Sequence, residues 1–471
     1  MNTNDSYIRE YLGIIDALDG DLPGRRAAQS YMENSTAIVH GKHVPSSYVP
    51  RFFGQETYGI FKDVAETTHA IVAKIITRYR EDPAYRTLFD LDERVAELVL
   101  LPCGYPDVLP LARIDVFLDE DTGACGFCEL NTDGSSGLNE DREQNRALAG
   151  SPALREFARR HTLATSELFE SWVDEFLAIY GRAEQRVDDP RIAIVDFLGT
   201  GAITAEFQEY CRRFSRRGYT CFVADVRDLR FDGAVLRTTD GKRIDAIFRR
   251  CVTPDILAHW EESQALIEAV RAQKVVLIGS FAGHLGYDKQ IFDVMHHPLT
   301  LEFLTEHERE LVEACVPQTK RLDASCIDLD EVRAEKDRWI IKPPDGYGAR
   351  DVHAGNMYAQ EEWEALVCRL ANGAAGAPFL VQRYIQPYKT PFLMPDGELL
   401  SRSDGEIART TVSMNNMSGL FIFNGRFAGV FSRMGEKPVI SEGAGSRHSA
   451  GTIWVDCELD GTMQSWGEER R

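Results

Sequence analysis

Polar and apolar residues alternate from Arg113 to Leu118. A strand there turns Arg113, Asp115 and Phe117 to one face and Ile114, Val116 and Leu118 to the other. Asp119 to Gly123 is turn chemistry, and the return strand is expected to set Cys125, Phe127, Glu129 and Asn131 on a common face. A different period runs from Phe61 to Tyr79, where Phe61, Val64, Ile71, Ile75 and Tyr79 recur at helical spacing. Asn139 to Tyr180 reads as mostly helical. Beyond a polar break at Val187 to Pro190, Arg191 to Leu198 is a nearly continuous apolar run, the pattern of a strand buried on both faces. Helix Glu206–Arg217, strands Tyr219–Ala224 and Ile244–Phe248, helix 260–272 and strand Lys274–Ile278 follow. This β-α-β-β-α-β order predicts a small α/β unit with a largely parallel sheet. A helix over Leu301 to Cys315 leads into a strand after Val316-Pro317. Two short apolar strands, Trp339–Ile341 and Phe379–Ile385, come next, and Leu420–Phe423 and Arg426–Arg433 flank Asn424-Gly425, a strong hairpin signal.

A chain of 471 residues has room for two to four domain-sized units, and 44% hydrophobic with 27% charged residues is a globular composition. A run of 18 apolar residues is absent and the N-terminus has neither a basic start nor an apolar core, so a soluble cytoplasmic protein without a membrane partner is expected. A net charge of −21 argues against a nucleic-acid partner and hints only weakly at a cationic substrate. Cys125 and Cys128 form a Cys-x-x-Cys, but on a strand the two thiols face opposite sides and a second such pair is lacking. Buried thiols are the reading, and the histidines show no ligand spacing.

The hairpin carries the chemistry. Asp115, Glu129 and Asn131 are hard oxygen donors suited to Mg²⁺, and the small residues Thr132 to Gly137 can turn backbone N–H groups to an anion. Against this stands the plainer reading of a solvated surface hairpin. Far along the chain, Trp339-Ile340-Ile341-Lys342 ends a strand in a lysine, followed by Asp345-Gly346-Tyr347-Gly348-Ala349-Arg350. Lys342 offers a point charge to phosphates, while Gly346 and Gly348 let the backbone approach them. A Walker loop is absent from the sequence. Gln382, Arg383, Tyr384 and Ile385 end the next strand and can present backbone groups to an adenine edge. Asp288 can cap a helix whose first turn holds Lys289; a phosphate there would offset a cation at a helix start. Ser441 to Ser449, with Arg447 and His448, is a Gly/Ser-rich anion-binding or lid loop. A competing signal is Gly199-Thr200-Gly201-Ala202-Ile203-Thr204 with Asp225, a partial nicotinamide-dinucleotide fingerprint lacking its third glycine.

An apolar strand ending in lysine with a glycine loop, together with Arg113-Ile114-Asp115 and Glu129-Leu130-Asn131, resembles the ATP-grasp superfamily. With the metal hairpin preceding the lysine strand, the order resembles the circularly permuted glutathionylspermidine synthase and eukaryotic-type glutathione synthetase branch. The resemblance spans residues 60 to 450 and departs at Gln382-Arg383, where many members carry Glu, and at Gly348-Ala349-Arg350. It implies an α/β (α+β) permuted ATP-grasp fold. Residues 1–190 would hold the helical segment and metal hairpin, 191–279 an inserted Rossmann-like substrate domain, 280–457 the nucleotide and lid region, and 458–471 a polar tail. It further implies ATP and two Mg²⁺ as cofactors. Asp115, Glu129 and Asn131 would sit on the metal, and Lys289 and Lys342 on the phosphates. Gln382 to Ile385 would lie along the adenine, and Arg113 near the acyl-phosphate. The implied activity is an ATP-dependent carboxylate–amine ligase acting on small carboxylate and amine substrates, a peptide or polyamine among the options. The alternatives are an NAD(P)-dependent oxidoreductase built on Gly199-Thr200-Gly201 and a catalytically silent ATP-grasp-like binding protein.

Overall fold

The computed structural model describes every residue except 1, 40, 200–202, 347, 372–377, 394–410, 442–446 and 468–471. Its centre is a six-stranded antiparallel sheet. In spatial order the strands are His448–Ala450, Arg426–Gly435, Val412–Phe423, Leu111–Leu118 and Cys125–Asn131, with Lys389–Phe392 on the free half of Val412–Phe423. Asn424 and Gly425 both have positive φ, +46° and +85°, the primed turn that suits the twist of paired strands. The helix predicted from Phe61 to Tyr79 runs from Gln55 to Glu81. Its apolar stripe packs under the sheet, with Phe61, Val64, Ile71 and Ile75 in one core with Ile114, Val116, Leu130 and Ile422. The opposite sheet face has two characters. Leu111, Phe421 and Phe423 are apolar and pack with Trp172 and Phe176 of helix Leu168–Arg182, whereas Arg113 and Asp115 make the adjoining stretch polar.

The β-α-β-β-α-β pattern yields a four-stranded parallel sheet in the order Val276–Ile278, Ala246–Arg249, Arg191–Asp196, Thr220–Asp225. A third sheet, all antiparallel, runs Thr319–Arg321, Leu380–Arg383, Trp339–Lys342, His353–Ala354. Helix Gln360–Ala371 covers one of its faces, where Trp339, Ile341, Val381 and Trp363 form a core. Alternation then turns Ile340, Lys342 and Gln382 to the other face.

Three expectations are corrected. Asn139 to Tyr180 is three helices broken by the strand Leu163–Ser166, whose partners Thr452–Val455 and Met463–Ser465 lie almost 300 residues on. Four residues carry too little local pattern to reveal a strand held by so distant a partner. Helix Leu301–Cys315 begins at Glu306, where Thr305 and Glu308 form a capping box. Finally, Cys125 and Phe127 do not share a face with Glu129 and Asn131, because a bulge at Cys128 reverses the alternation. Asp115 lies opposite Glu129, but Val116 lies opposite Phe127. Cys125 and Phe127 join the core instead. No helix among the described residues is long and apolar enough to cross a membrane.

Candidate active site

The bulge that sends Phe127 into the core leaves Glu129 and Asn131 in phase with Arg113 and Asp115. Asn131 is paired with Arg113, and Glu129 with Asp115. Asp115 is fully buried. Arg113 grips it through both ends of its guanidinium, Nε at 2.8 Å and Nη2 at 3.0 Å. Arg433 pairs with the same carboxylate from the neighbouring hairpin, and the Asn131 amide donates to it at 2.9 Å. Gly419 faces Asp115 in register, and a Cβ there would come 2.9 Å from both Arg113 and Asp115, so only glycine leaves room for the pair. Burial alone would raise the Asp115 pKa. The Arg113 and Arg433 guanidiniums outweigh it and hold the carboxyl well below the usual carboxylate range.

This polar stretch forms one wall of a cavity of about 650 Å³. The third sheet supplies the facing wall, where Lys342 donates to the Gln382 side-chain oxygen at 2.7 Å and to the Cys128 carbonyl at 3.0 Å. Lys289 enters from a connecting segment, with its ammonium 2.8 Å from the Gly346 carbonyl and its backbone N–H 2.8 Å from that of Pro344. Lys289 therefore fastens the loop that carries Gly346 and Gly348. It precedes, rather than begins, the next helix, Ile291–Met295, and Asp288 receives the Gln290 N–H at 2.9 Å. Burial lowers the Lys289 pKa, partly countered by Glu129 and reinforced by Lys342. Burial lifts the Cys128 thiol to about 11, so it is protonated at neutral pH.

The predicted residues Arg113, Glu129, Asn131, Lys289, Lys342, Gly346, Gly348, Gln382, Arg383, Tyr384 and Ile385 all line this cavity. Asp115 stands just behind the wall. Arg383 contributes no charge to it, because its guanidinium stacks 3.8 Å over Trp339 and pairs with Glu331 at 2.8 Å. Residues that sequence reasoning passed over also face the cavity, above all Arg433 and Tyr287. Arg433 is the one cation within the strand beyond its first residue, Arg426, and follows the apolar run Phe427 to Phe431, a signal that could have marked it. Tyr287 has no comparable signal. Half of the dinucleotide-like turn, residues 200–202, lies outside the described residues, although its Ile203 and Val252 after strand Ala246–Arg249 both reach the cavity wall.

The donor chemistry fits a hard divalent cation. Among the described residues no cation lies within ion-pair reach of Glu129, whose recorded polar neighbour is the Asn131 amide at 3.4 Å. With the Asn131 NH₂ turned to Asp115, its carbonyl oxygen is the free end of the amide. An uncompensated carboxylate and an amide oxygen beside two lysines suit a metal-bound polyanion.

No protein-family model matches this chain, and neither does any curated protein sequence. Its structure is similar to that of a glutathione synthetase-like effector from Globodera pallida in the apo form. The TM-score is 0.60 at 12% identity, covering 91% of this chain and 96% of that one. A D-cycloserine synthetase (TM-score 0.32, 15% identity, 57% of this chain and 76% of that one) and a gamma-glutamylcysteine synthetase-like protein from Methylobacillus flagellatus KT (0.40, 10%, 79% and 83%) share too little geometry to carry an argument. The fold is thus a mixed α/β fold shared with a glutathione synthetase-like protein.

Proposed function

We propose that this chain is an ATP-dependent carboxylate–amine ligase of the circularly permuted ATP-grasp type, forming an amide through an acyl-phosphate and releasing ADP and phosphate. One observation carries the reading. Two stretches 214 residues apart, the Glu129 hairpin and the Lys342 strand, close on a single cavity in which Lys289 joins them.

The geometry supports the following roles. Lys289 and Lys342 bind the phosphates, and their fixed ammonium groups need no rearrangement when charge moves between oxygens. Gln382, Tyr384 and Ile385 line the adenine end. Glu129 and Asn131 would hold Mg²⁺, which neutralises phosphate charge and polarises the γ-phosphoryl group when bound, whereas Asp115, expected as a third ligand, has its carboxylate taken up by Arg113 and Arg433 behind the wall and would position the pair. Arg113, locked on Asp115, and Arg433 line the cavity and would offer guanidiniums to the carboxylate substrate and the transferred phosphoryl group. The substrate carboxylate attacks the γ-phosphorus and ADP leaves; the amine then displaces phosphate from the acyl carbon. Positioning and charge neutralisation suffice for both steps, so a protein nucleophile is not required. Residues 191–279 would hold the small-molecule substrates, as the positions of Ile203 and Val252 at the cavity wall support.

The test is thermal stability of the purified protein with Mg-ATP, Mg-ADP and NAD(P)H. Saturation at 100 times the dissociation constant stabilises a protein by about 2.7 kcal/mol. A rise with Mg-ATP that EDTA removes is the expected result, followed by ADP release with a matching acid and amine. A rise with NAD(P)H alone would overturn the reading.

A further inference from the structure

A second concave site lies away from this cavity and combines sulfur with positive charge. Cys211 of helix Thr204–Arg216 and Cys221 of strand Thr220–Asp225 bring their sulfur atoms within 3.3 Å. Both residues are partly exposed, because that strand is an edge of the parallel sheet. Cys221 also lines a cleft of about 600 Å³ bordered by Arg191, Arg237, Lys242 and Arg243. Lys242 and Arg243 are paired with Asp240 at 2.8 Å and Asp245 at 2.5 Å. Arg191 and Arg237 are exposed, and among the described residues neither has a carboxylate within ion-pair reach. Four cations around one hollow stand out in a chain of net charge −21. The cleft is at the N-terminal end of its strands, whereas Ile203 and Val252 follow C-terminal ends, so the two sites are on opposite ends of the parallel sheet.

We propose that this cleft binds an anionic low-molecular-weight disulfide and that Cys211 and Cys221 exchange with it to form a disulfide between themselves. The Cys221 thiolate attacks one sulfur of the bound disulfide RSSR, whose S–S bond breaks as RS⁻ leaves. The Cys211 thiolate then attacks the Cys221 sulfur of the mixed disulfide and expels the second RS⁻. The two protons shed by the cysteines end on two RSH molecules. The cysteines lose two electrons and RSSR gains them. With a disulfide bond of about 2.05 Å, the two sulfurs have only about 1.2 Å left to close. The free guanidiniums supply the selectivity, since a cationic cleft raises the local concentration of an anion and repels a cation.

The experiment incubates the reduced full-length protein with glutathione disulfide, which is anionic, or cystamine, which is a cationic disulfide. It follows the loss of two hydrogens by intact mass and the cross-linked peptide by digestion. The expected result is a Cys211–Cys221 link that forms roughly tenfold or more faster with glutathione disulfide, a preference that fades in about 0.5 M salt. In the double variant R191Q/R237Q, at two exposed positions, the two rates converge while the link still forms. Equal rates in the parent protein, or a preference that survives the double variant, overturn the anion site. A stable mixed disulfide at Cys221 without a link to Cys211, or no reaction with either reagent, overturns the exchange.

Discussion

Lys342 and Cys128 are separated by 214 residues, yet the Lys342 ammonium donates to the Cys128 carbonyl at 3.0 Å. Cys128 is the extra residue of the bulge opposite Asp115 and Val116. An unpaired bulge residue leaves a main-chain group free for another partner, and here that partner is the lysine of a different sheet. Gln382 steadies the other side of the ammonium and is itself held by Thr319 at 2.9 Å. The contact joins the cavity wall that carries Glu129 to the wall that carries Lys342.

Lys342 faces no carboxylate within ion-pair reach among the described residues and is buried. A buried cation lacking a counter-charge costs stability. Lys342→Met keeps the stem and removes the charge, so its melting temperature is expected to equal or exceed that of the parent, while the Mg-ATP shift disappears and ADP release falls by about 100-fold or more. Calorimetry with and without nucleotide checks both. A variant that keeps the nucleotide shift contradicts the phosphate role.

Glu129 is the acid that reaches the cavity without a partner cation. Glu129→Gln removes a charge that partly offsets the burial of Lys289 and Arg433, so the ligand-free protein should be slightly less stable but folded. Turnover should fall by about 100-fold or more, because the metal loses its charged ligand. Titration with Mn²⁺ in place of Mg²⁺, read by proton relaxation, should show binding by the parent and not by the variant. Near-normal turnover in a folded variant removes the metal assignment.

Two buried carboxylates of the site region contribute to the acid sensitivity of the fold. Burial pushes the Asp133 carboxyl up, but Arg249 at 2.5 Å and the His284 ring at 3.6 Å outweigh it and bring the pKa to about 2. Asp115 is shifted in the same direction by Arg113 and Arg433. A folded pKa below the unfolded value of about 3.9 means that the unfolded chain binds protons first as pH falls. Their stabilisation is complete above about pH 5 and is lost progressively from there toward about pH 2. Chemical denaturation between pH 7 and pH 3 should show this loss. Asp115→Asn leaves two guanidiniums facing a neutral amide and should cost about 3–5 kcal/mol at pH 7, with a flatter acid dependence.

Gly283 sits against the end of the metal hairpin. The Thr132 hydroxyl donates to the Gly283 carbonyl at 2.6 Å, and an added Cβ would land on the Thr132 carbonyl oxygen. Because the obstacle is backbone, Gly283→Ala forces the hairpin end away from the segment that bears Lys289. A loss of roughly 1–3 kcal/mol is expected, together with a higher KM for ATP. Urea unfolding and steady-state kinetics measure the two effects. Parent-like values in both would show that the backbones part without consequence.

Local sequence determined much of this protein. Alternation between Arg113 and Leu118 is a property of adjacent residues, as are the helical stripe of Gln55–Glu81, the turn at Asn424-Gly425 and the lysine that ends Trp339–Lys342, so each could be read directly from the chain. The same holds for most cavity residues, because a carboxylate, an amide and a lysine at strand ends are chemically conspicuous. What depended on distant partners was decided by tertiary structure. The bulge at Cys128, which brings Glu129 into phase with Asp115, exists only because the two strands pair in that register. Strand Leu163–Ser166 forms because Thr452–Val455 offers it an edge. Arg433 becomes a site residue by meeting Asp115, whereas Arg383 is drawn off by Trp339 and Glu331. The meeting of Lys342 with Cys128 has the same origin. A sequence states which groups are available, but the pairing register and the packing of sheets fix which of them face one another, and those are free-energy balances over the whole chain.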